Sequence, residues 1–467
     1  METIGQTFGV CGVCRSITPV KIVSRDQKVY HLKFCPDHGK TESLVHSNTI
    51  EYLKAHRFIK PAWTPESFMG DSHLPCPEGC GFCDQHEQHL CMPIIEITTR
   101  CDLSCPCCIN ASGSTGAKDI SLDDFRHMLD AILLAEKQVD VLNISGGEPL
   151  LHPQSLDIID EALSREGIVR VSISTNGLLF LSHKTIADEL KARNVVVSLQ
   201  FDGYNDDIYR YLRGKPLLNK KLEIIELLKD KNIPMSLTMT AVSGINDDQF
   251  PRILDCLFSN SNILSLMIQP IAFTGRGARL SQSTARLTIP DIIKRIDQSH
   301  PNVRAADFIP LPCSHPLCFS LSFYLMTNAP KAFAVNRVTD IETYIDSLSN
   351  RVVFGLDAEE HQQMKDIIYD LWSGPAGAVP DNAAVLSTLK NMLKQIASSS
   401  CACFDPRKAF NIVERNIKSI FIHAFQDADT FDLARVRRCC QAYPQPDGRL
   451  IPACAHNVIH RKRRIHD

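Results

Sequence analysis

The chain of 467 residues lacks a long apolar run, a strong charge imbalance and an export signal. No run approaches the ~20 apolar residues that a transmembrane helix needs, and the longest, near 319–326, contains serines. A net charge of −3 with 22% charged residues gives no footprint for bulk nucleic-acid binding. Residues 1–6 have neither the basic region nor the apolar core of a signal peptide. We therefore expect a cytoplasmic protein, at most peripheral to a membrane.

Cysteine, by contrast, is abundant. The 19 cysteines fall into groups with metal-ligand spacing. In a reducing cytoplasm such groups indicate iron–sulfur or zinc ligation, whereas a disulfide scaffold is typical of small secreted proteins. The chain is long enough for two to four domains and a full enzyme core.

The central group lies in a loop after the apolar run 93–99, where Cys101, Cys105 and Cys108 have the spacing C-x3-C-x2-C. Three thiolates can bind three irons of a four-iron cluster, and the open fourth iron then suggests chemistry at the metal. A zinc knuckle or a disulfide pair is the alternative, although zinc usually takes C-x2-C pairs and four ligands. Cys107 could substitute as a ligand, so the choice of Cys108 depends on spacing alone.

From 93 to about 300 the sequence alternates between β-rich runs and amphipathic helical patterns. The predicted strands are 93–99, 139–145, 169–175, 195–201, 234–241 and 263–269. The predicted helices are 121–137, 153–165, 183–193, 218–232 and 247–259, and Ser121 with Asp124 offers a capping box at the first. Six βα units with short connections predict an α/β fold with a parallel sheet curled into a partial (β/α)6 barrel. Sites in such folds gather at the carboxyl ends of the strands.

Several motifs fall at those strand ends. The second strand runs into Gly146-Gly147-Glu148-Pro149, where two glycines permit close backbone approach. This turn and the cysteine spacing resemble the signature of the radical S-adenosylmethionine (radical SAM) superfamily. The resemblance implies that SAM chelates the open iron and that the cluster cleaves it to a 5′-deoxyadenosyl radical, which abstracts hydrogen from a substrate. It also implies that the turn contacts the SAM ammonium, with Glu148 as its charge partner.

The third and fourth strand ends supply further candidates for SAM binding. By the same resemblance, Ser174 or Asn176 faces the methionine or ribose, and Ser198 and Asp202 match ribose-contacting positions. Ordinary turn chemistry is the alternative for the first two, and a helix cap is the alternative for Asp202. The turn 275–279 is rich in glycine and arginine, so Arg276 or Arg279 could contact a phosphate or the SAM carboxylate; otherwise it is a solvated loop.

The amino-terminal 60 residues carry Cys11, Cys14, Cys35 and His38 on either side of a predicted β-hairpin. Three cysteines and one histidine predict a zinc ribbon or a rubredoxin-like iron site, and sequence does not separate the two metals. Free cysteines in a hairpin are the alternative.

A second group follows in a Gly/Pro-rich stretch. Its four members are Cys76, Cys80, Cys83 and Cys91, which could close an auxiliary [4Fe–4S] cluster or bind a second zinc. The neighbouring His86 and His89 are interpreted as surface loop histidines.

The carboxyl-terminal part departs from βα alternation. Cys313, Cys318, Cys440 (or the adjacent Cys439) and Cys454 could complete a second auxiliary cluster. Cys401 and Cys403 lie in a Ser-rich turn and have no assigned role. The segment 319–400 is interpreted as apolar helices that either form core or line a substrate tunnel.

We thus predict four parts: a metal ribbon (1–60), a linker with an auxiliary cluster loop (61–92), the barrel (93–300) and an extension with auxiliary ligands (301–467). This order resembles the multi-cluster radical SAM group that includes archaeal tetraether lipid synthase and a dihydropterin methyltransferase. It implies either coupling of lipid hydrocarbon chains, which we prefer at this point, or C-methylation of a pterin-like molecule. An electron donor such as ferredoxin or flavodoxin is the expected partner. A non-catalytic electron carrier is the third possibility, and an open iron beside the turn at 146–149 argues against it.

Overall fold

The computed structural model describes residues 1–70, 74–113, 116–281, 283–312, 314–327, 331–338, 382–397 and 406–461. The chain begins with a four-stranded antiparallel sheet in sequence order, formed by β1 (Glu2–Val10), β2 (Ile17–Arg25), β3 (Lys28–Cys35) and β4 (Gly39–His46). Inward residues alternate with exposed ones along β2, as expected for a sheet with one covered face. The short helix α1 (Thr49–Ala55) follows and is capped by Asn48.

Six parallel strands then form the centre of the molecule. They are β5 (Met92–Thr98), β6 (Val139–Gly146), β7 (Ile168–Thr175), β8 (Val196–Gln200), β9 (Met235–Ala241) and β10 (Ile263–Pro270). The strands lie side by side in sequence order, so each crossover joins neighbours. All six strands predicted from the alternating pattern are confirmed within two residues at either end.

Helices connect these strands. They are α2 (Leu122–Ala135), α3 (Ser155–Ser164), α4 (Leu179–Ser182), α5 (Thr185–Ala192), α6 (Asp206–Arg213), α7 (Leu218–Asp230), α8 (Phe250–Ser259) and α9 (Ile289–Ser299). Helix α2 begins at the predicted capping box, in which the Ser121 and Asp124 side chains each accept from the other's backbone N–H. Its buried face, including Phe125, Leu129 and Ile132, packs into the main core.

The carboxyl-terminal part extends the central sheet at both edges. It contains β11 (Ile309–Pro310), β12 (Phe319–Met326), β13 (Ala332–Ala334), α10 (Val335–Val338), α11 (Asn382–Ala397), α12 (Pro406–Asn416), β14 (Ile417–His423), α13 (Leu433–Arg437), β15 (Gln441–Pro444), β16 (Leu450–Pro452) and α14 (Ala453–Ala455). Strand β14 runs parallel to β10 and antiparallel to β12, and β15 pairs with β5 at the opposite edge.

The helical prediction for residues from 319 onward is therefore wrong over its first eight residues. Phe319–Met326 is a strand, because its aromatic side chains fit a pleated surface and its full backbone ladder is satisfied by β14. The described residues 382–397 are helical as predicted. Residues 339–381 of this segment lie outside the described residues.

The amino-terminal sheet is attached to the carboxyl-terminal part of the chain. The Thr7 hydroxyl donates to Asp432 Oδ1 at 2.6 Å, and the buried Lys33 ammonium donates to the Ala428 carbonyl at 2.7 Å. Gly9 lies so close to Phe431 that a Cβ would fall 2.5 Å from the Phe431 carbonyl oxygen. These contacts join the two ends of the sequence in one core.

Within the described residues, no helix has the length and apolar character needed to cross a bilayer.

Candidate active site

One large cavity, here called the lumen, lies inside the curled central sheet. It has a volume of about 520 Å³ and is lined by alternate residues of every strand from β5 to β10 and by β12, β14 and β15. Because alternate residues point to one face of a strand, this lining shows that the sheet curls around the lumen. The loop with Cys101, Cys105 and Cys108 covers the carboxyl end, and α12 closes the amino end.

The lumen has two chemically different walls. Strands β6 to β10 present hydroxyl and amide side chains, at Asn143, Ser145, Ser172, Ser174, Ser198, Gln200, Ser236, Thr238, Thr240, Ser265 and Gln269. Strands β12 and β14 present aromatic side chains instead, at Phe319, Phe323, Phe421 and His423. The His423 ring stacks on Phe319 with centroids 3.9 Å apart, and burial lowers the pKa of His423 to about 3, so this ring is neutral. A ligand with a flat apolar face and polar edges suits such walls.

The cluster loop brings its three predicted ligands to the same end of the lumen. Cys101, Cys105 and Cys108 all line it, yet they do not form a compact group of the kind that holds one ion. A four-iron cluster spaces its thiolates more widely, because each sulfur binds a different iron. Burial raises the pKa of Cys101 to about 12, so this side chain is a neutral thiol in the absence of a metal. The donor set and spacing thus suit a cluster with one open iron.

Cys107, the other candidate in this loop, also lines the lumen, but its thiol is engaged by protein groups. Its thiol donates to the Leu212 carbonyl at 3.2 Å and lies 3.5 Å from the Arg213 guanidinium. The side chain is buried among the residues of α6, and burial raises its pKa to about 12. The structure thus favours Cys108 over Cys107 as the third ligand.

The Gly146–Gly147 turn fits against the cluster loop by backbone contacts. Gly147 N donates to the Thr98 carbonyl at 2.8 Å, and Glu148 N donates to the Arg100 carbonyl at 2.7 Å. A Cβ on Gly147 would fall 2.1 Å from the Arg100 oxygen, and Gly146 has a φ of +137°, so neither position tolerates a side chain. The turn therefore holds the start of the cluster loop at a fixed distance from the sheet.

Glu148 supports this turn from within the fold. Its carboxylate accepts from Thr175 Oγ1 and from Asn176 N, both at 2.8 Å, and burial raises its pKa to about 7. It does not line the lumen, whereas Gly146, Gly147 and Asn176 do. The adjacent Pro149 is also buried. The contact of Glu148 with a SAM ammonium stays a prediction, and the structure shows a positioning role for its side chain.

Three of the polar candidates do face the lumen. Ser174 donates to Asn143 Oδ1 at 3.0 Å, Ser198 lies 3.0 Å from the Thr238 hydroxyl, and Asn176 donates to Asp102 Oδ1 at 2.6 Å. They form a polar layer just below the cluster loop. Their contact with SAM remains a prediction that this placement permits.

Asp202 is placed differently from either expectation. It does not line the lumen, and it does not cap a helix, because Asn205 caps α6. Its side chain is fully buried and binds Arg213 through two bonds of 2.7 and 2.8 Å, while Thr240 N donates to it at 3.0 Å. Although burial opposes the charge on Arg213, the Asp202 carboxylate holds its pKa above the ordinary value. Arg213 lines the lumen, so Asp202 serves as its buried counter-charge.

Arg276 holds the cluster loop in place. Its guanidinium binds carbonyl groups of that loop, and not the phosphate or SAM carboxylate considered from the sequence. Its guanidinium donates to the Cys105 carbonyl at 2.8 Å and to the Ser112 carbonyl at 2.7 Å, while its backbone N–H donates to Cys108 at 3.0 Å. Gly275 permits this approach, since a Cβ there would fall 2.2 Å from the Ile109 oxygen. The glycine-rich turn is visible in the sequence, but the carbonyl groups that Arg276 binds could not be predicted from it.

The amino-terminal sheet holds the one compact metal-ligand group found among the described residues. The ligand atoms of Cys11, Cys14, Cys35 and His38 all lie within 4.8 Å of one another. Cys14 Sγ and Cys35 Sγ are 3.8 Å apart, and His38 Nδ1 lies 3.5 Å from Cys35 Sγ and 3.7 Å from Cys11 Sγ. A tetrahedral ion with metal–sulfur bonds of ~2.3 Å separates its sulfurs by ~3.8 Å, so these residues suit a single ion.

The auxiliary cysteines are divided differently from the sequence-based grouping. Cys91 packs with Cys318 and Cys440 in one apolar cluster, and its N–H donates to the Cys440 carbonyl at 3.0 Å. It lies there because β15 pairs with β5 directly after these cysteines, a contact between distant parts of the chain. The expected grouping of Cys91 with Cys76, Cys80 and Cys83 is thus wrong in this structure.

Cys439 lies between the two auxiliary groups. The Cys76 thiol contacts Cys80, and this contact lowers the pKa of Cys76 to about 7. Cys83 and Cys439 both contribute to raising the pKa of Cys80. Burial and the nearby thiols of Cys454, Cys440 and Cys318 raise the pKa of Cys439 in turn. Cys313, Cys401 and Cys403 lie outside the described residues.

The two histidines of this region are buried, so their interpretation as surface residues is wrong. His86 stacks on Phe82 with centroids 3.9 Å apart and donates through Nε2 to the Cys439 carbonyl at 2.9 Å. His89 lies 3.1 Å from Glu136 and 3.3 Å from the Cys91 sulfur. Loop sequence alone gave no signal of this burial, because Cys439 and Glu136, which bind the two rings, lie elsewhere in the chain.

Comparison with known families agrees with this geometry. Residues 95–257 match the radical SAM superfamily, and residues 3–47 match the zinc ribbon domain described as the HMPTM N-terminal zinc ribbon. The chain therefore contains a radical SAM domain and is an enzyme that uses SAM and a [4Fe–4S] cluster, with a zinc ribbon domain at its amino-terminal side. The predicted fold class, enzyme class and main cofactors are confirmed.

Among its relatives is the 7,8-dihydro-6-hydroxymethylpterin dimethyltransferase of Methanocaldococcus jannaschii. The two are 26% identical over 98% of this chain and 94% of that protein. A GTP 3′,8-cyclase of Peptoclostridium acidaminophilum is 31% identical over 33% of this chain, which spans about half (48%) of the cyclase. A solved radical SAM methyltransferase from Sphaerobacter thermophilus aligns with a TM-score of 0.34 and 13% identity, over 60% of this chain and 73% of that one.

Replacing His38 with alanine should remove the ribbon ion and leave the cluster iron unchanged. A site with three protein ligands keeps an open position and loses the closed coordination of a structural ion. We expect metal analysis of the purified variant to show one ion fewer per chain. The matched control is His183→Ala, which removes an exposed histidine on the barrel. Unchanged zinc and iron in the His38 variant would contradict the ligand assignment.

Proposed function

We propose that this enzyme is a radical SAM C-methyltransferase that acts on a pterin-like small molecule. The main support is its similarity to the dihydropterin dimethyltransferase along 98% of this chain, ribbon and carboxyl-terminal part included. The GTP cyclase, by contrast, is similar over 33% of this chain. The parts outside the barrel, which carry the additional cysteines, are therefore shared with the pterin enzyme.

The walls of the lumen also support a heterocyclic substrate. Pterins are flat bicyclic rings with hydrogen-bonding edges. The lumen has a wall of hydroxyl side chains on one side and a wall of aromatic side chains on the other. A hydrocarbon tail would leave the Gln200 side-chain oxygen, which lines the lumen and is buried without a hydrogen-bond partner among the described residues, unsatisfied at a cost in free energy. Lipid-chain coupling, preferred from sequence, has no support in the comparisons, so our preference between the two substrates reverses.

The residues of the loop and turn have distinct proposed roles. Cys101, Cys105 and Cys108 would hold the cluster, and Gly146 and Gly147 would offer backbone groups to SAM. When bound, SAM and the cluster supply a 5′-deoxyadenosyl radical that abstracts hydrogen from an unactivated carbon. The aromatic wall and the covering loop exclude water, which protects reactive intermediates.

The auxiliary cysteines and the partners belong to the same proposal. We place one auxiliary cluster at Cys76, Cys80 and Cys83 and another at Cys91, Cys318, Cys440 and Cys454, with Cys439 available to either. A ferredoxin or flavodoxin would supply electrons. We do not retain the peripheral membrane contact, because the last two described residues are engaged in the fold: Arg461 binds Glu96 at 2.8 Å, and His460 donates to the Pro77 carbonyl at 3.1 Å.

The decisive experiment is anaerobic reconstitution with a strong reductant and SAM, followed by incubation with dihydropterin or with lipid extract. We expect 5′-deoxyadenosine in both and a pterin product heavier by one-carbon units, measured by mass spectrometry. Deuterium passing from labelled lipid tails into 5′-deoxyadenosine, with pterin unchanged, would establish chain activation instead. No 5′-deoxyadenosine under any condition would contradict the enzyme assignment and favour an electron carrier.

A further inference from the structure

At the amino end of the lumen, opposite the cluster loop, lies a buried ion pair. Arg170 of β7 donates through Nη2 to Glu414 Oε1 of α12 at 2.6 Å, and both side chains line the lumen. Their side chains are 5% and 9% exposed. Phe410, also on α12, lies with its ring centroid 6.0 Å from the Arg170 guanidinium carbon. We call Arg170 and Glu414 the floor pair.

Apart from the Asn194 carbonyl, which accepts a hydrogen bond from Arg170 Nη1, the surroundings of the floor pair are apolar. Val141, Val196, Leu389 and Val413 line the same end of the lumen. A buried ion pair is often no more stabilising than apolar residues of similar volume, so closing the barrel does not require one. The pair is also incompletely satisfied, since Arg170 Nε is buried and has no hydrogen-bond partner among the described residues. An incompletely satisfied ion pair at an otherwise apolar end of the lumen indicates that a ligand binds there.

The groups that the pair offers are specific. The carboxylate of Glu414 can accept about four hydrogen bonds, and the bond to Arg170 uses one oxygen. The guanidinium of Arg170 is a donor only. Together they present adjacent acceptors and donors, which complement the 2-amino-4-oxopyrimidine edge of a pterin: its N3–H and 2-amino groups donate, and its 4-oxo group accepts.

The distance along the lumen permits this arrangement. Arg170, Ser172 and Ser174 point inward from one strand, so Arg170 and Ser174 lie ~13 Å apart at ~3.3 Å per residue. That span accommodates a bicyclic ring standing lengthwise between the floor and the polar layer below the cluster loop. The pyrimidine edge would then face the floor, and the other ring would face the radical chemistry.

We infer that Arg170 and Glu414 recognise the 2-amino-4-oxopyrimidine edge of the substrate and so determine which heterocycle the lumen accepts. The inference rests on the proposed function and adds the orientation of the substrate to it. It makes Glu414 a specificity-determining residue, remote from the reacting atoms.

The test measures binding to the reconstituted holoenzyme with SAM present, by equilibrium dialysis. The probes are 6-hydroxymethylpterin, the corresponding lumazine, in which an oxo group replaces the 2-amino group, and guanosine, which carries the same edge on another ring system. We expect the wild type to prefer the pterin to the lumazine by roughly 10- to 100-fold, because the lumazine lacks the 2-amino donor and loses one hydrogen bond to a charged group. Glu414→Gln should reduce that ratio to near one.

The control is Glu161→Gln, which breaks ion pairs to Arg126 and Arg165 on the outside of the barrel. It should leave the pterin-to-lumazine ratio unchanged. If the Glu414→Gln chain does not fold, Glu414→Asp is used instead, because it keeps the charge and withdraws the carboxylate. Its pterin-to-lumazine ratio should also fall to near one. A purely structural ion pair would change stability in these variants without changing the ratio.

The outcomes separate the two proposals. An unchanged ratio in a folded Glu414 variant overturns the floor-pair inference and leaves the pterin function standing. Binding of guanosine that depends on Glu414, without binding of the pterin, overturns the function and supports the floor pair. If neither the pterin nor guanosine binds the wild type, the proposed function and the floor-pair inference are both overturned.

Discussion

Replacing Cys101 with alanine is expected to reduce formation of 5′-deoxyadenosine to background, the largest effect on activity predicted for any single side chain here. Two thiolates from this loop cannot hold three irons of a cluster. The iron at the auxiliary groups should remain, because their cysteines lie on other segments of the chain. Iron and sulfide analysis together with chromatographic measurement of 5′-deoxyadenosine checks both parts.

The neighbouring Cys107 supplies the matched control. Its thiol donates to the Leu212 carbonyl, and a serine hydroxyl can make the same bond. We therefore expect Cys107→Ser to keep its cluster and to cleave SAM at close to the wild-type rate. If the Cys101 variant still cleaves SAM while the Cys107 variant does not, the ligand assignment in this loop is wrong.

The second large effect is expected from Gly147→Ala. The added Cβ would fall 2.1 Å from the Arg100 oxygen and 3.1 Å from the Ser112 Cβ, and the Arg100 contact is with backbone. The turn or the cluster loop must then move, at a cost on the order of 3 kcal/mol in the free energy of unfolding. SAM binding should weaken as well, because the backbone groups of the turn would shift. Denaturant unfolding and equilibrium dialysis with SAM measure the two effects.

Gly113→Ala is the control for this prediction. Gly113 lies in the cluster loop that Gly147 packs against, and a Cβ at Gly113 would meet nothing within 4 Å. We expect its free energy of unfolding to stay within about 0.5 kcal/mol of the wild type. If the Gly147→Ala and Gly113→Ala variants have the same free energy of unfolding, the close approach at Gly147 does not contribute to stability.

Local patterns were sufficient to predict the barrel. The β-rich run of β7, the alternating burial in β9, and the reciprocal cap at Ser121 and Asp124 are properties of short windows of sequence. The cluster loop and the Gly146–Gly147 turn were predictable for the same reason, since their spacing is local. The ribbon ligands form two short knuckles, so they too could be paired from sequence.

What could not be predicted depends on contacts between distant residues. Cys91 joins Cys318 and Cys440 because β15 pairs with β5, and no spacing rule encodes that pairing. In sequence, Asp202 matches a ribose-contacting position, yet in the structure its carboxylate is bound by Arg213. The floor pair was missed because Arg170 and Glu414 each look ordinary in their own segments.

The pairing of β5 with β15 also has a consequence for biosynthesis. At ~5–20 residues per second, ribosomes take roughly 20 to 70 seconds to extend the chain from Met92 to Gln441. Throughout that interval the strand that leads into the cluster loop has one unpaired edge, which is a template for aggregation. Cells short of chaperones should therefore accumulate more of this protein as insoluble chain.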